Sequence, residues 1–184
     1  MTMRSCKSRT LYVVALLALV MSELSALAYV TRGESQQLTQ LLEDARNEAF
    51  ELANDAGDCQ ALIGNDDKWV THALMLARVK GHVDNMALII DKLNKAEKSG
   101  SALQEQAVQQ MLPLVKELSD NTTAAINYLN RNKSRPVSDA YTQYLEKNAE
   151  TARQLSDMIT ALCEYEKSMA DIERLRSKLA TPES

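Results

Sequence analysis

The sequence predicts an all-α protein folded as an antiparallel up-down-up-down four-helix bundle. Three observations lead there. The 184 residues include five Gly, three Pro and one Phe. Ala, Leu, Met, Gln, Glu and Lys are plentiful, a mix that favours helix and lacks the β-branched and aromatic residues strands use. Apolar residues recur at helical spacing in four separate stretches, the pattern of a helix that buries one stripe. Turn residues punctuate those stretches at Gly64-Asn65-Asp66-Asp67, Ser99-Gly100 and Asn130 to Pro136. Long helices with short connections pack as antiparallel neighbours.

Taken in order, the chain begins with Arg4, Lys7 and Arg9, then the apolar run Leu11 to Met21, then Ala26-Leu27-Ala28. This is the three-part pattern of a secretory signal with cleavage after Ala28. Residues 1–28 are read as a signal peptide and 29–184 as a single helical-bundle domain. Leu11 to Ala28 is short for a membrane span, and Glu23 interrupts it; retained uncut, it would act as an anchor. Cys6 precedes the apolar run and is wrongly placed for a lipoprotein signal. The expected location is outside the cytoplasm, periplasmic or secreted, with no membrane association after cleavage.

Tyr29 to Glu34 reads as a short tail. The first helix carries Leu38, Leu41, Leu42, Ala45, Ala49, Leu52 and Ala56 on one stripe and ends near Gly57 to Gly64. Asp66 or Asp67 can cap the second. Its stripe combines Trp69, Leu76, Val83 and Ile90 with His72, Val79, Met86 and Leu93, and tolerates Gly81 at a cost of about 1 kcal/mol. Ser101-Ala102-Leu103-Gln104 is a capping-box pattern for the third helix. That helix runs Ala107, Val108, Met111, Leu114, Val115, Leu118, Thr122, Ala125, Leu129. Pro113 lies inside it and predicts a kink. The fourth stripe runs from Tyr141, Tyr144 and Leu145 through Ala152, Leu155, Met158, Ile159 and Leu162 to Tyr165, Met169, Ile172 and Leu179. The fourth helix is the longest, and its last turns, near Asp171 to Leu179, are expected to extend past the bundle.

Charge excludes one class of function. The whole chain carries −4, and removing Arg4, Lys7, Arg9 and Glu23 with the signal leaves −6. Sequence-independent nucleic-acid binding needs phosphate neutralisation and a basic face, so nucleic acid is not an expected partner.

Few residues carry chemistry. Cys59 and Cys163 remain after cleavage, and two Cys in an exported chain suggest a disulfide. The bundle argues against it within one chain, because it places the two far apart along its axis; the alternatives are two buried thiols or a bond between chains. Metal spacing and a c-type haem motif are both missing from the sequence. His72 and His82 are ten residues apart, about 80° short of whole turns, and do not face one site. His72 falls in the core seam. With Met86, Met158 or Met75, it is the one candidate for a haem or metal ligand set, against the plain reading of a hydrogen-bonded core His among core-filling Met residues. Di-iron chemistry needs Glu three residues before an inward His, which neither His has. Cys59 with His72 forms no recognisable nucleophilic pair, and no phosphate or dinucleotide motif is present. Asn121 and Asn148 fall at core positions of helices three and four, where they can form a polar pair that sets register; the plain alternative is that each points to the rim. Asn121-Thr122-Thr123 and Asn132-Lys133-Ser134 match the glycosylation sequon, by chance on this reading.

The sequence thus leads to a non-enzymatic, exported bundle of the cell envelope that binds a protein partner or self-associates through helix four, with no cofactor. Two alternatives stand beside it. One is a small-molecule, haem or metal carrier with a site near His72. The other is a membrane-tethered, sensor-like bundle.

Overall fold

The computed structural model describes residues 37–64, 68–96, 102–133 and 137–180. The signal segment with its cleavage site, the tail at 29–34, the caps at Asp66, Asp67 and Ser101, and Thr181 to Ser184 lie outside the described residues, as does Ser134 of the second sequon. Four helices make up 94% of what is described, with no strand. They are α1 (residues 37–61), α2 (Trp69–Ala96), α3 (Ala102–Arg131) and α4 (Asp139–Ala180).

Local chemistry sets several helix ends. Gly64 has φ 79°, the left-handed conformation that glycine takes at low cost just past a helix. The amide and side-chain nitrogens of Asn132 both donate to the Tyr128 carbonyl, at 3.1 and 2.8 Å, closing the last turn of α3. The Ser138 hydroxyl accepts from the Tyr141 amide at 3.3 Å, an N-cap for α4. α3 runs through Pro113 as one helix. Pro113 and Gln109 are both exposed, so the bond the ring removes lies on the solvent side of the helix.

Cross-helix contacts establish the antiparallel order. Rising residue numbers on one helix meet falling numbers on its neighbour. Glu48 and Asp55 meet His82 and Arg78. Asn94 meets Gln109, and Trp69 meets Leu129. Glu117 meets Lys147. The circuit closes where α4 returns to α1, with Cys163 Sγ against the Leu42 carbonyl. One end of the bundle therefore gathers the end of α1, the start of α2, the end of α3 and the start of α4. The opposite end gathers the start of α1, the end of α2, the start of α3 and α4 near Leu162.

The expected stripes form the core. Leu38, Leu42, Ala45, Ala49, Leu52 and Ala56 are buried on α1, with Leu76, Val79, Val83, Met86, Ile90 and Leu93 on α2. The small Ala45, Ala49 and Ala56 are among the least exposed positions of α1, and the larger Met86 and Met111 are fully buried in the same core. Trp69, Ala107 and Met158 pack at the edge of the core, half-buried. The stripe of α4 is buried from Tyr141 through Cys163 and then stops. From Glu164 to Ala180 every residue is exposed except the half-buried Glu166. The overhang thus begins about two turns earlier than its expected start near Asp171.

Candidate functional site

At the turn end of the bundle, a buried cluster joins three helices. His72 has no exposed surface. Its Nδ1 lies 3.1 Å from the Tyr141 hydroxyl, and the two rings meet edge to face with centroids 5.4 Å apart. Tyr141 stacks on Tyr128 at 5.8 Å. Trp69 Nε1 donates to the Leu129 carbonyl at 3.1 Å, and Lys133 Nζ sits 4.7 Å above the Trp69 ring. The Trp69 indole and the Tyr141 hydroxyl, two polar tips on this apolar wall, each have a partner, so neither is stranded in the core.

Cys59 sits in the same cluster. Burial pushes its thiol up to about 12, with the Asp55 carboxylate adding to the shift. Burial also raises the Tyr141 phenol above its ordinary range, and the nearby Cys59 adds to that. A nucleophilic Cys needs a thiolate, and this site holds the thiol protonated. His72 Nδ1 faces Tyr141. The cluster is a packed hydrogen-bonded wall.

His72, Met86 and Met158, the residues nominated for a cofactor, are not brought together. His72 and Met86 stand 14 residues apart on α2, about 21 Å at helical rise. Met158 is half-buried toward the other end, beside Ala107 and Leu162. Among the described residues, no group of three or more His, Cys, Asp or Glu is placed to hold a metal ion.

Cys59 and Cys163 are both free and buried. Cys163 Sγ donates to the Leu42 carbonyl at 3.6 Å, at the opposite end from Cys59. Leu42 and Cys59 are 17 residues apart on α1, about 25 Å along its axis. A disulfide tolerates about 7 Å between Cα atoms, so no bond joins the two thiols within the chain.

The polar pair expected in the α3–α4 seam forms with a different partner. Asn148 is 2% exposed and its Nδ2 donates to Thr122 Oγ1 at 3.2 Å. Asn121 is only half-buried, and its Nδ2 is without a hydrogen-bond partner, as is Asn148 Oδ1. The Asn121–Asn148 pair is therefore corrected to Thr122–Asn148. One residue along a helix turns a side chain by about 100°, and here that turn puts Thr122 in the seam and Asn121 at its edge.

Sequence reasoning missed a polar cluster between α1 and α2. His82 Nδ1 lies 2.6 Å from Glu48 Oε1, and its Nε2 lies 3.4 Å from Asp55 Oδ2. Asn85 Nδ2 donates to Glu48 Oε1 at 3.2 Å, and Arg78 reaches Asp55 at 3.7 Å. The carboxylates bracket the imidazole from its two opposite nitrogens, so they grip the ring and do not share one ion position. A signal was present: Glu48 and Asp55 are seven residues apart and share a face of α1, while Arg78 and His82 are four apart on α2.

Among the described residues, the longest run of exposed large apolar side chains is at the open end of α4. A groove between the start of α3 and α4 is lined by Leu103, Ala107, Met158, Ala161, Leu162 and Tyr165. Its α4 wall runs straight into the overhang, where Tyr165, Met169, Ile172, Leu175 and Leu179 are exposed by 46, 44, 43, 55 and 87%. At 100° per residue these five and Leu162 fall within about 140° of the helix circumference. Burial raises the Glu166 carboxyl above its usual range at the edge of this surface. No helix among the described residues is long and apolar enough to cross a membrane. Compared with known proteins, this chain matches no family model, no curated protein and no solved structure.

Proposed function

We propose that this chain is an exported helical-bundle protein of the cell envelope that acts by binding a partner, with the overhang of α4 and the adjoining α3–α4 groove as its docking face. The observation that supports this most is the exposed stripe Tyr165, Met169, Ile172, Leu175 and Leu179. Single exposed apolar residues are ordinary, but a contiguous run continuing out of a groove is a feature of interaction surfaces. A helix left in water gains nothing from an apolar residue at every turn, whereas a helix entering a groove uses that spacing for its anchors. The export expectation rests on residues 1–28 and is part of this proposal.

A photo-crosslinking amino acid at Ile172 or Leu179, in the producing cell, tests the reading. Adducts are expected at both positions and not at Arg174, about 140–160° away around α4. Equal labelling at all three positions, or adducts at none, would overturn it.

A further inference from the structure

Resting on that reading of the overhang, we infer that its partner is a second copy of this chain. The two α4 overhangs pair antiparallel, and Leu179 of each copy enters the α3–α4 groove of the other.

Three independent features of the overhang fit this arrangement together. The first is register. Leu162, Tyr165, Met169, Ile172 and Leu179, with Arg176 between the last two, alternate steps of three and four, the seam of a coiled coil. Placing Met169 against Ile172 of a second copy, antiparallel, puts Tyr165 against Arg176 and Leu162 against Leu179. The same alignment that fills the stripe therefore delivers Leu179, the most exposed large apolar side chain of the overhang, to Leu162 in the groove wall. Stripe and groove are satisfied by one geometry.

The second feature is charge. Residues 164–173 hold Glu164, Glu166, Asp171 and Glu173 against Lys167, a net −3, while Arg174, Arg176 and Lys178 give the following turns +3. A parallel pair would set −3 beside −3. In the antiparallel register Arg174, Arg176 and Lys178, +3, lie beside Glu164, Glu166 and Lys167 of the second copy, −1, and only Asp171 and Glu173 face their own counterparts; the balance still favours antiparallel approach over parallel.

The third feature is Glu166. It is the only residue of the overhang that is not exposed, and among the described residues no basic side chain pairs with it. Its carboxyl is already partly desolvated. In this register Arg176 of the second copy falls beside Glu166 and over the Tyr165 ring, where a guanidinium gains both an ion pair and a cation–π contact. Within its own chain Arg176 has only a loose 3.8 Å contact with Glu173.

The test is sedimentation equilibrium of the purified protein and its charge-swap variants over a concentration series. A monomer–dimer equilibrium is expected. Glu166→Arg and Arg176→Glu should each weaken it about tenfold or more, or about 1.4 kcal/mol. The double variant should recover to within about threefold of the parent, because the swapped pair is again complementary. Unchanged helicity by circular dichroism shows that the variants remain folded. A protein that stays monomeric up to hundreds of micromolar, or a double variant as weak as the singles, overturns the inference. Crosslinking from Ile172 separates the remaining outcomes. An adduct of twice the chain mass supports a second copy. An adduct of any other mass sinks the second copy while leaving the docking face standing, and an internal link to residues 29–36 sinks both. Absence of any adduct sinks both.

Discussion

α4 is one helix with two fates. From Tyr141 to Cys163 its stripe is buried against α1 and α3 and carries the polar contacts that fix the bundle, Tyr141 to His72 and Asn148 to Thr122. From Glu164 to Ala180 the same spacing continues, yet its apolar residues face water. The difference is not in the stripe itself. Leu155, Ile159 and Leu162 resemble Tyr165, Met169 and Ile172 in size and period. The difference is in the neighbours: the other helices enclose the first half, while past the groove shared with the start of α3 the apolar residues of the second half stay exposed. An apolar stripe states a demand for a partner, and only the rest of the assembly decides which part of the chain meets it.

The sharpest expected contrast lies in the thiols. Raising Cys59 from 9.0 to about 12 cuts its thiolate fraction at pH 8 by roughly a thousandfold. Both thiols should resist iodoacetamide in the native protein at pH 8, and both should be alkylated in denaturant without reductant. Mass spectrometry over time would show Cys163, where the bundle gives way to the overhang, reacting first. Cys163 as slow as Cys59 would move the edge of the packed region beyond Glu164, and alkylation only after reduction would mean that the thiols are paired.

Truncation of the core half comes next. Ile159→Ala removes a fully buried side chain and should cost about 2–5 kcal/mol, read as a lower urea midpoint at unchanged slope. Tyr141→Phe keeps the ring and removes the hydroxyl facing His72 Nδ1, for about 1–3 kcal/mol. Ile172→Ala, the same type of change in the overhang, should shift the monomer's stability by less than about 0.5 kcal/mol, measured well below any association midpoint. A loss at Ile172 as large as that at Ile159 would show that the overhang is covered within one chain.

Much of the bundle is legible in the sequence. Composition and the four stripes predict the helices, and the turn residues at Gly64 and near Asn132 mark where they end. His72 at a core position and the separation of His72 from His82 follow from counting at 100° per residue. Three things cannot be read that way. Asn121 and Asn148 both fall at core positions by spacing, but the rotation of α3 against α4 selects Thr122. The grip of Glu48 and Asp55 on His82 needs two helices in fixed register, which neither pattern contains. The start of the overhang at Glu164 depends on where α1 and α3 begin, not on anything in α4.

The sequence alone determined what is local: helical period, stripe width, the ends of helices and, through short connections, their antiparallel order. These follow from one residue's spacing to the next along a single element. Only the tertiary structure decided which side chains share a dry environment. It put Cys59 beside Asp55 and Tyr141, separated the two thiols by the length of the bundle, and left the last turns of α4 uncovered. Desolvation, hydrogen-bond partnership and burial are properties of pairs of elements, and they come into being only when the helices pack.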